Sequence, residues 1–480
     1  LSFFDLFQEA RIHLRLGRGF HLAPSGDSST LTIRHGREEP LSLSRYRPSF
    51  APAVARLASG ACASTLRDLV LRQGGPASAT VFALLLQRLS ALGAVDYVLV
   101  DEDGEHACLI PQRETFVPAL RPVPDAAATL DRFALIRRDE GRWLLESPLV
   151  GARLTFTDLG ALDAPVVRSA LAAAGFLEGS APAEEARREA LRMWEFHDLA
   201  FHSHHRLGAH RDPSGGLFPY IGDIEPAPAV RPAWAGERVP LGRAPDDPGR
   251  ESLADLLARR RSFRTYDEEH PISLADVGAV LDRSARIRDQ WLVNVPSSGG
   301  DEAVFEASRR PYPCGGATYE LELYLAVDHC RDLPAGLYHY AASDHELVRV
   351  SDRTPALERL LADARKSTMD IAAPQILVVV AARFARVMWK YRGLSYALIL
   401  RHTGVLYQTL YLAATELGLA PCALGTGNSA VFSAATGLDP MVEGSVGEFL
   451  LGGRPSAFER EAADRAANNS PTVQPPIRNR

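Results

Sequence analysis

Of the 53 Lys and Arg side chains in this 480-residue chain, only Lys366 and Lys390 are lysines. A GC-rich genome would explain the preference for arginine. It also draws attention to the lysines that remain, because a lysine can give up its proton in a protein and an arginine cannot. Lys390 stands beside Tyr391 in Met388-Trp389-Lys390-Tyr391-Arg392-Gly393. Both side chains ionise near pH ~10 in water, too high for a resting base at neutral pH. Partial burial and the nearby cations Arg386 and Arg392 would draw the lysine downward. The pair is then suited to proton transfer; left exposed, it is only a loop.

Three further groups carry chemistry. Arg259-Arg260-Arg261-Ser262-Phe263-Arg264 closes a predicted helix. Clustered guanidiniums with a hydroxyl suit a phosphate monoester, although cations at a helix C-terminus also complement its dipole. Arg310-Pro311-Tyr312-Pro313-Cys314-Gly315-Gly316-Ala317-Thr318-Tyr319 sets two glycines just ahead of an apolar strand. Such a loop lets backbone approach a flat ligand, or is simply a tight turn. Ala423-Leu424-Gly425-Thr426-Gly427-Asn428 is a second glycine-rich loop, and the chain returns later through Leu451-Gly452-Gly453-Arg454-Pro455. None of these is a strand-to-helix G-x-G-x-x-G, so a Rossmann site is not expected.

Other residues invite weaker readings. His197, His202, His204, His205 and His210 fall on a helix end and a linker without a carboxylate–His repeat at ligand spacing, so no metal site is expected. His402 reads as a packed or interface histidine. The five cysteines are scattered and form no C-x-x-C, which points to a reducing, cytoplasmic setting. No signal peptide or membrane span is expected. A net charge of −6, with twelve arginines against twelve acids in residues 1–120, gives no basic face for nucleic acid.

The elements that must position these groups are read from periodicity. Helices over 252–260, 273–284 and 395–417 and strands over 320–327, 375–382 and 446–452 make an α+β domain. The helix 395–417 carries Leu398, Val405, Leu406, Leu410, Tyr411 and Ala414, a broad apolar face. Further back, two segments read as repeats of one unit, a helix ending at Gly93 or Gly175 and feeding an extended segment. Asp103-Gly104 supplies a hairpin turn after the first. This pattern suggests winged-helix-like modules over 1–112 and 113–183, with peptide binding as their expected role. A helix runs from Glu184 to Leu207, and the Pro/Gly-rich passage from Asp212 to Gly249 reads as a linker or extended arm. The functional domain spans 250–456, and 457–480 reads as a fraying tail.

Taken together, these motifs resemble the SagB-type (McbC-like) dehydrogenases, a branch of the FMN-dependent nitroreductases that acts on azoline rings in ribosomally made peptides. The resemblance covers residues 184–456 through Trp194-Glu195-Phe196-His197-Asp198, the RRSFR cluster, RPYPCGGATYELELY, Gly336-Leu337-Tyr338-His339-Tyr340 and WKYRG. It implies a nitroreductase-like fold preceded by tandem winged-helix-like modules. By it, Arg260, Ser262, Arg264 and Arg454 would hold the phosphate and ribityl end of FMN. Pro313, Cys314, Gly315 and Gly316 would line the isoalloxazine, with Gly425, Thr426 and Gly427 on its other side. Lys390 and Tyr391 would be the catalytic groups. Cys314 departs from the pattern, where Ser is expected; a thiol beside an oxidising flavin is open to oxidation.

The implied reaction is oxidation of thiazoline or oxazoline to thiazole or oxazole in a precursor peptide. A homodimer with flavin at its interface and cyclodehydratase partners are implied with it. Two other readings remain: an NAD(P)H-dependent nitro or quinone reductase, and a non-catalytic peptide-binding scaffold in a synthetase complex.

Overall fold

The computed structural model describes residues 11–24, 29–35, 41–102, 104–113, 116, 128–178, 185–243, 252–296, 302–369 and 373–456. The expected tail over 457–480 lies outside them. The chain divides into two units, Leu1–Pro213 and Ser214–Arg480. The division falls inside the passage read as a linker.

In the first unit, a helix (Ala51–Ser59), a two-residue strand (Ala61–Cys62) and a long helical stretch (Ala63–Ala91) lead into a hairpin. The helical stretch is long and apolar enough to cross a membrane by length and composition alone. It is two helices rather than one: Gly75 sits at φ +70°, ψ −177°, and Pro76 follows. Its Leu66, Val70, Phe82, Leu86 and Leu89 are fully buried in the core of this unit. The hairpin pairs Val95–Asp101 with Gly104–Pro111, and Asp101 faces Gly104. The second helix ends as its glycine requires: Pro165–Ala174 stops at Gly175, in the left-handed region at φ +94°. The extended segment after it pairs backward, Leu177 against Leu130. The helix expected over Glu184–Leu207 is split into Glu185–Met193 and Phe196–His204, because Glu195 turns to cap the second, its carboxylate accepting from the His197 N–H.

The second unit is a seven-stranded antiparallel sheet between two helical layers. Its order is Arg238–Pro240, Glu346–Ser351, Gly336–Ala341, Leu321–Val327, Ile376–Arg383, Glu443–Gly452, Ala420–Leu424. Ile376–Arg383 is buried along its whole length. Its alternate side chains serve opposite layers. Ile376, Val378, Val380 and Ala382 pack against Ile399, Leu406 and Leu410 of the long helix Ser395–Glu416. Leu377, Val379 and Ala381 pack against Leu357, Leu360 and Leu361 of the helix Pro355–Ser367. Each of these Val, Leu and Ile side chains contributes about 1.5–3 kcal/mol when fully buried. The apolar face of the long helix is therefore largely spent inside the chain: Leu406, Leu410, Tyr411 and Ala414 are core. Tyr396 and Leu400 are what it leaves exposed.

Capping residues fix where the helices start. Ser273 and Asp276 form a reciprocal capping box, and Asn428 caps Ser429–Thr436. The Pro/Gly-rich arm docks on this unit: Gly215 pairs with Arg392, the Phe218 N–H donates to the Lys390 carbonyl, and Phe218 packs on Trp389.

Candidate active site

Two clusters of the expected residues form, and the long helix separates them. The first gathers around Tyr411. Its hydroxyl bonds to Ser262 Oγ at 2.8 Å and accepts the Ala423 N–H at 2.7 Å, and the Arg260 guanidinium lies 5.0 Å from its ring centre. Arg454 lies over the Phe263 ring, and the Phe263 N–H donates to the Pro421 carbonyl. Arg264 exerts its charge on Cys422. Arg260, Ser262, Arg264 and Arg454 are thus brought together at the strand that leads into Gly425-Thr426-Gly427. That loop walls a cavity of about 380 Å³, with Tyr396, Leu400, Tyr407 and Gly447. Glu448 reaches it from beneath: its carboxylate accepts the Asn428 N–H at 3.2 Å, and any Cβ on Gly427 would stand 2.8 Å from it. Burial pushes this carboxyl up to about 7.

The second cluster is built on Pro313-Cys314-Gly315-Gly316. Lys390 Nζ donates to the Gly316 carbonyl at 3.0 Å. It also lies 5.3 Å from the ring centre of Phe305 and 5.6 Å from that of Phe218. Lys390 and Tyr391 are both half-buried. Burial, then the charge of Arg386, lowers the lysine below its ordinary value. Arg392, expected to share in this, is exposed, with its backbone paired to Gly215. Burial, then Cys314, moves Tyr391 the other way.

Cys314 is enclosed by polar neighbours. Its sulfur accepts the Tyr319 N–H at 3.1 Å and lies 3.2 Å from Thr318 Oγ1 and 3.5 Å from Glu320 Oε2. Burial and the Glu320 charge push the thiol up to about 12. It therefore stays protonated, which works against the oxidation expected of it, because the thiolate is the reactive form.

Glu320 and His402 were not expected here as a pair. Glu320 is fully buried, and its Oε1 bonds to His402 Nδ1 at 2.7 Å. Burial alone would raise this carboxyl; the hydrogen bond from His402, with lesser ones from its own backbone N–H and from Thr318, holds it below the usual range. The signal in the sequence was two glutamates, Glu320 and Glu322, in a strand otherwise apolar. Glu322 has its own buried partners, His339 at 3.2 Å and Arg383 at 3.5 Å. Among the described residues, Cys314, Glu320 and His402 form the one group with metal-ligand spacing. The five histidines over 197–210 do not converge: His204 stacks on His210, while His205 bonds to the Phe201 carbonyl.

The two clusters meet the long helix on different sides. Gly315 approaches Leu398 and His402, whereas the cavity beside Gly425 is lined by Tyr396, Leu400, Thr403 and Tyr407. At 3.6 residues per turn these sets lie about half a turn apart. A single chain therefore does not place Pro313–Gly316 and Gly425–Gly427 on two sides of one ligand.

Residues 257–452 match the model of the nitroreductase family, so the C-terminal part of the chain is a nitroreductase-family domain set after an N-terminal region. Two relatives match parts of the chain. The putative nitroreductase MJ1384 of Methanocaldococcus jannaschii is 29% identical over 173 residues, 36% of this chain and 78% of its own length. The microcin B17-processing protein McbC of Escherichia coli is 33% identical over 141 residues, 28% of this chain and half of McbC. Among solved structures, the E. coli microcin synthetase McbBCD complex with truncated pro-MccB17 bound matches with a TM-score of 0.32 and 23% identity, over 44% of this chain and 78% of that one.

Proposed function

We propose that this chain is an FMN-dependent dehydrogenase that oxidises thiazoline or oxazoline rings of a ribosomally made peptide to thiazole or oxazole. The observation that carries the reading is the opposed tuning of Lys390 and Tyr391 beside the Gly315-Gly316 loop. A lysine made less basic is a usable general base; a tyrosine made less acidic remains a hydrogen-bond donor. The partial match to McbC supports the same substrate class.

The residues fit FMN on two grounds. The guanidiniums of Arg260 and Arg264 and the Ser262 hydroxyl have the donor chemistry a phosphate monoester needs. The cavity beside Gly425 is walled partly by glycines, and a Cβ at Gly404 or Gly425 would meet nothing within 4 Å. FMN, when bound, would supply the acceptor for two electrons and the hydrogen of the ring's β-carbon. Lys390 takes the proton from the α-carbon, which the adjacent C=N bond acidifies. Tyr391 orients the ring, and the Gly316 carbonyl holds the lysine. Because the two clusters lie on different sides of the long helix, we propose a homodimer in which each flavin lies between Arg260, Ser262, Arg264, Arg454 and Gly425–Gly427 of one copy and Pro313–Gly316, Lys390 and Tyr391 of the other.

For the N-terminal unit we propose winged-helix-like, peptide-binding modules. The order helix, short strand, two helical arms and hairpin over 51–111 supports this. Cyclodehydratase partners and a cytoplasmic setting complete the proposal.

The test is mass spectrometry of an azoline-bearing peptide after incubation with the enzyme. A loss of about two mass units per ring is expected, since two hydrogens leave. An unchanged mass would refute the reading. The similarity to MJ1384 favours a second reading, a small-molecule nitroreductase; bleaching of the flavin by NADPH without peptide would support it.

A further inference from the structure

The loop that carries Gly316 is held in a conformation its residues do not favour. Gly316, Ala317 and Tyr319 have φ of +64°, +55° and +41°, and two of the three are not glycine. Such backbone persists only where surrounding groups fix it. Here the Gly315 N–H donates to His402 Nε2 at 2.8 Å, Thr318 Oγ1 contacts the Gly315 carbonyl at 3.2 Å, and Arg386 Nε donates to the Thr318 carbonyl at 2.9 Å.

The bond from Gly315 settles the state of the imidazole. A nitrogen that accepts an N–H carries a lone pair, so Nε2 is unprotonated and the proton is on Nδ1. Nδ1 faces Glu320 Oε1 at 2.7 Å, where that proton is donated to a fully buried carboxylate. The other oxygen of Glu320 accepts from Thr318 Oγ1 at 3.1 Å. The same geometry argues against a cation among Cys314, Glu320 and His402: ligation through Nδ1 would put the proton on Nε2, against the Gly315 N–H.

We propose that Glu320 and His402 are positioning residues for Lys390. Glu320 selects the Nδ1–H tautomer of His402, and His402 Nε2 then anchors the Gly315 N–H. The anchored loop presents the Gly316 carbonyl that holds Lys390 Nζ. The inference rests on the reading of Lys390 as the base, but its tests use neither substrate nor flavin, so failure of the azoline reading leaves their outcome intact.

Two measurements on the apoprotein decide it. In a long-range ¹H–¹⁵N spectrum of histidine-labelled protein, the ring assigned by its loss in His402→Gln is expected as the Nδ1–H tautomer. An Nε2–H tautomer or an imidazolium would overturn the proposal, and this needs only a wild-type fold. In hydrogen exchange, the segment 312–319 is expected to exchange about tenfold faster or more in His402→Phe and in Glu320→Ala, while the strand 376–383 is unchanged. Glu320→Gln keeps an acceptor for Nδ1–H, and His402→Gln offers an amide oxygen to Gly315; both are expected to retain much of the protection. Unaltered exchange of 312–319 in Glu320→Ala would break the link between carboxylate, tautomer and loop.

Discussion

Lys390 reaches Gly316 through a gap that exists because residue 316 has no side chain. Its Nζ sits 3.0 Å from the Gly316 carbonyl, and a Cβ built on Gly316 would lie 2.6 Å from that nitrogen and 2.4 Å from Tyr391 Oη. Gly316→Ala therefore collides with both candidate catalytic groups while occupying a left-handed backbone position. The expected outcome is a stability loss of about 1–2 kcal/mol and a fall in azole formation of at least tenfold. Thermal unfolding together with turnover would check this. An alanine variant with wild-type turnover would show that the contact is dispensable.

The lowered basicity of Lys390 has a direction that can be measured. As general base it must be neutral, so turnover should rise with pH along a limb whose midpoint lies below the lysine value of 10.5. Competitive acylation can locate that midpoint directly, with Lys366 as the other lysine in the chain. Lys390→Arg should behave like Lys390→Ala and lose about 10²–10⁴ in rate, because arginine stays charged.

The same shift predicts a stability effect of opposite sense. A lysine whose folded value lies below its unfolded value carries the full penalty at pH below the folded value, and the penalty lifts as pH rises from the folded value to the unfolded one. Lys390→Met should therefore raise Tm at neutral pH while removing turnover. An unchanged or lower Tm would contradict the burial argument.

Glu448 gives a pH dependence on the other side of the long helix. Its carboxyl is pushed up to about 7 from 4.5. A raised acid binds more protons when folded, so the protein gains stability as pH falls from about 7 towards 4.5 and carries the full penalty above 7. Glu448→Gln should stabilise above pH 7 and lose that advantage as pH falls towards 4.5. Tm measured against pH for both proteins tests this; parallel curves would refute it.

The proposal that Arg260 and Arg264 bind a phosphate rests on residue type, and it makes a separable prediction. Changing either to Gln should weaken FMN about tenfold, read by fluorescence quenching. Apoprotein Tm should hold.

Residue types and spacing announced the arginine cluster, both glycine loops and the Lys390-Tyr391 pair, along with most of the elements around them. The helix expected over 395–417 is Ser395–Glu416, and the strand over 375–382 is Ile376–Arg383. Local periodicity fixes such elements because it reports one buried face. It does not report what that face meets. The bond between Glu320 and His402 joins residues 82 positions apart, and nothing local distinguishes a buried glutamate from an edge one. The hairpin Asp289–Pro296 and Glu302–Arg309 was missed for a related reason: Trp291, Leu292 and Val293 are consecutive, apolar and exposed, so they show no alternation. The break at Gly75 and the split at Glu195 are capping and backbone events that an apolar count cannot register.

The half-turn that separates the two clusters on the long helix has a consequence for mixtures of chains. If each flavin draws on both copies, a chain carrying Lys390→Ala and one carrying Arg260→Gln and Arg264→Gln, kept at FMN too dilute to fill the latter, are each inactive alone but defective in opposite halves. Exchanged together, half of the dimers would hold one wholly intact site and one doubly damaged site, returning about a quarter of wild-type turnover. Interallelic complementation of this kind requires that the lesions belong to different protomers' contributions. Two lesions within one cluster, such as Lys390→Ala with Gly316→Ala, would show none.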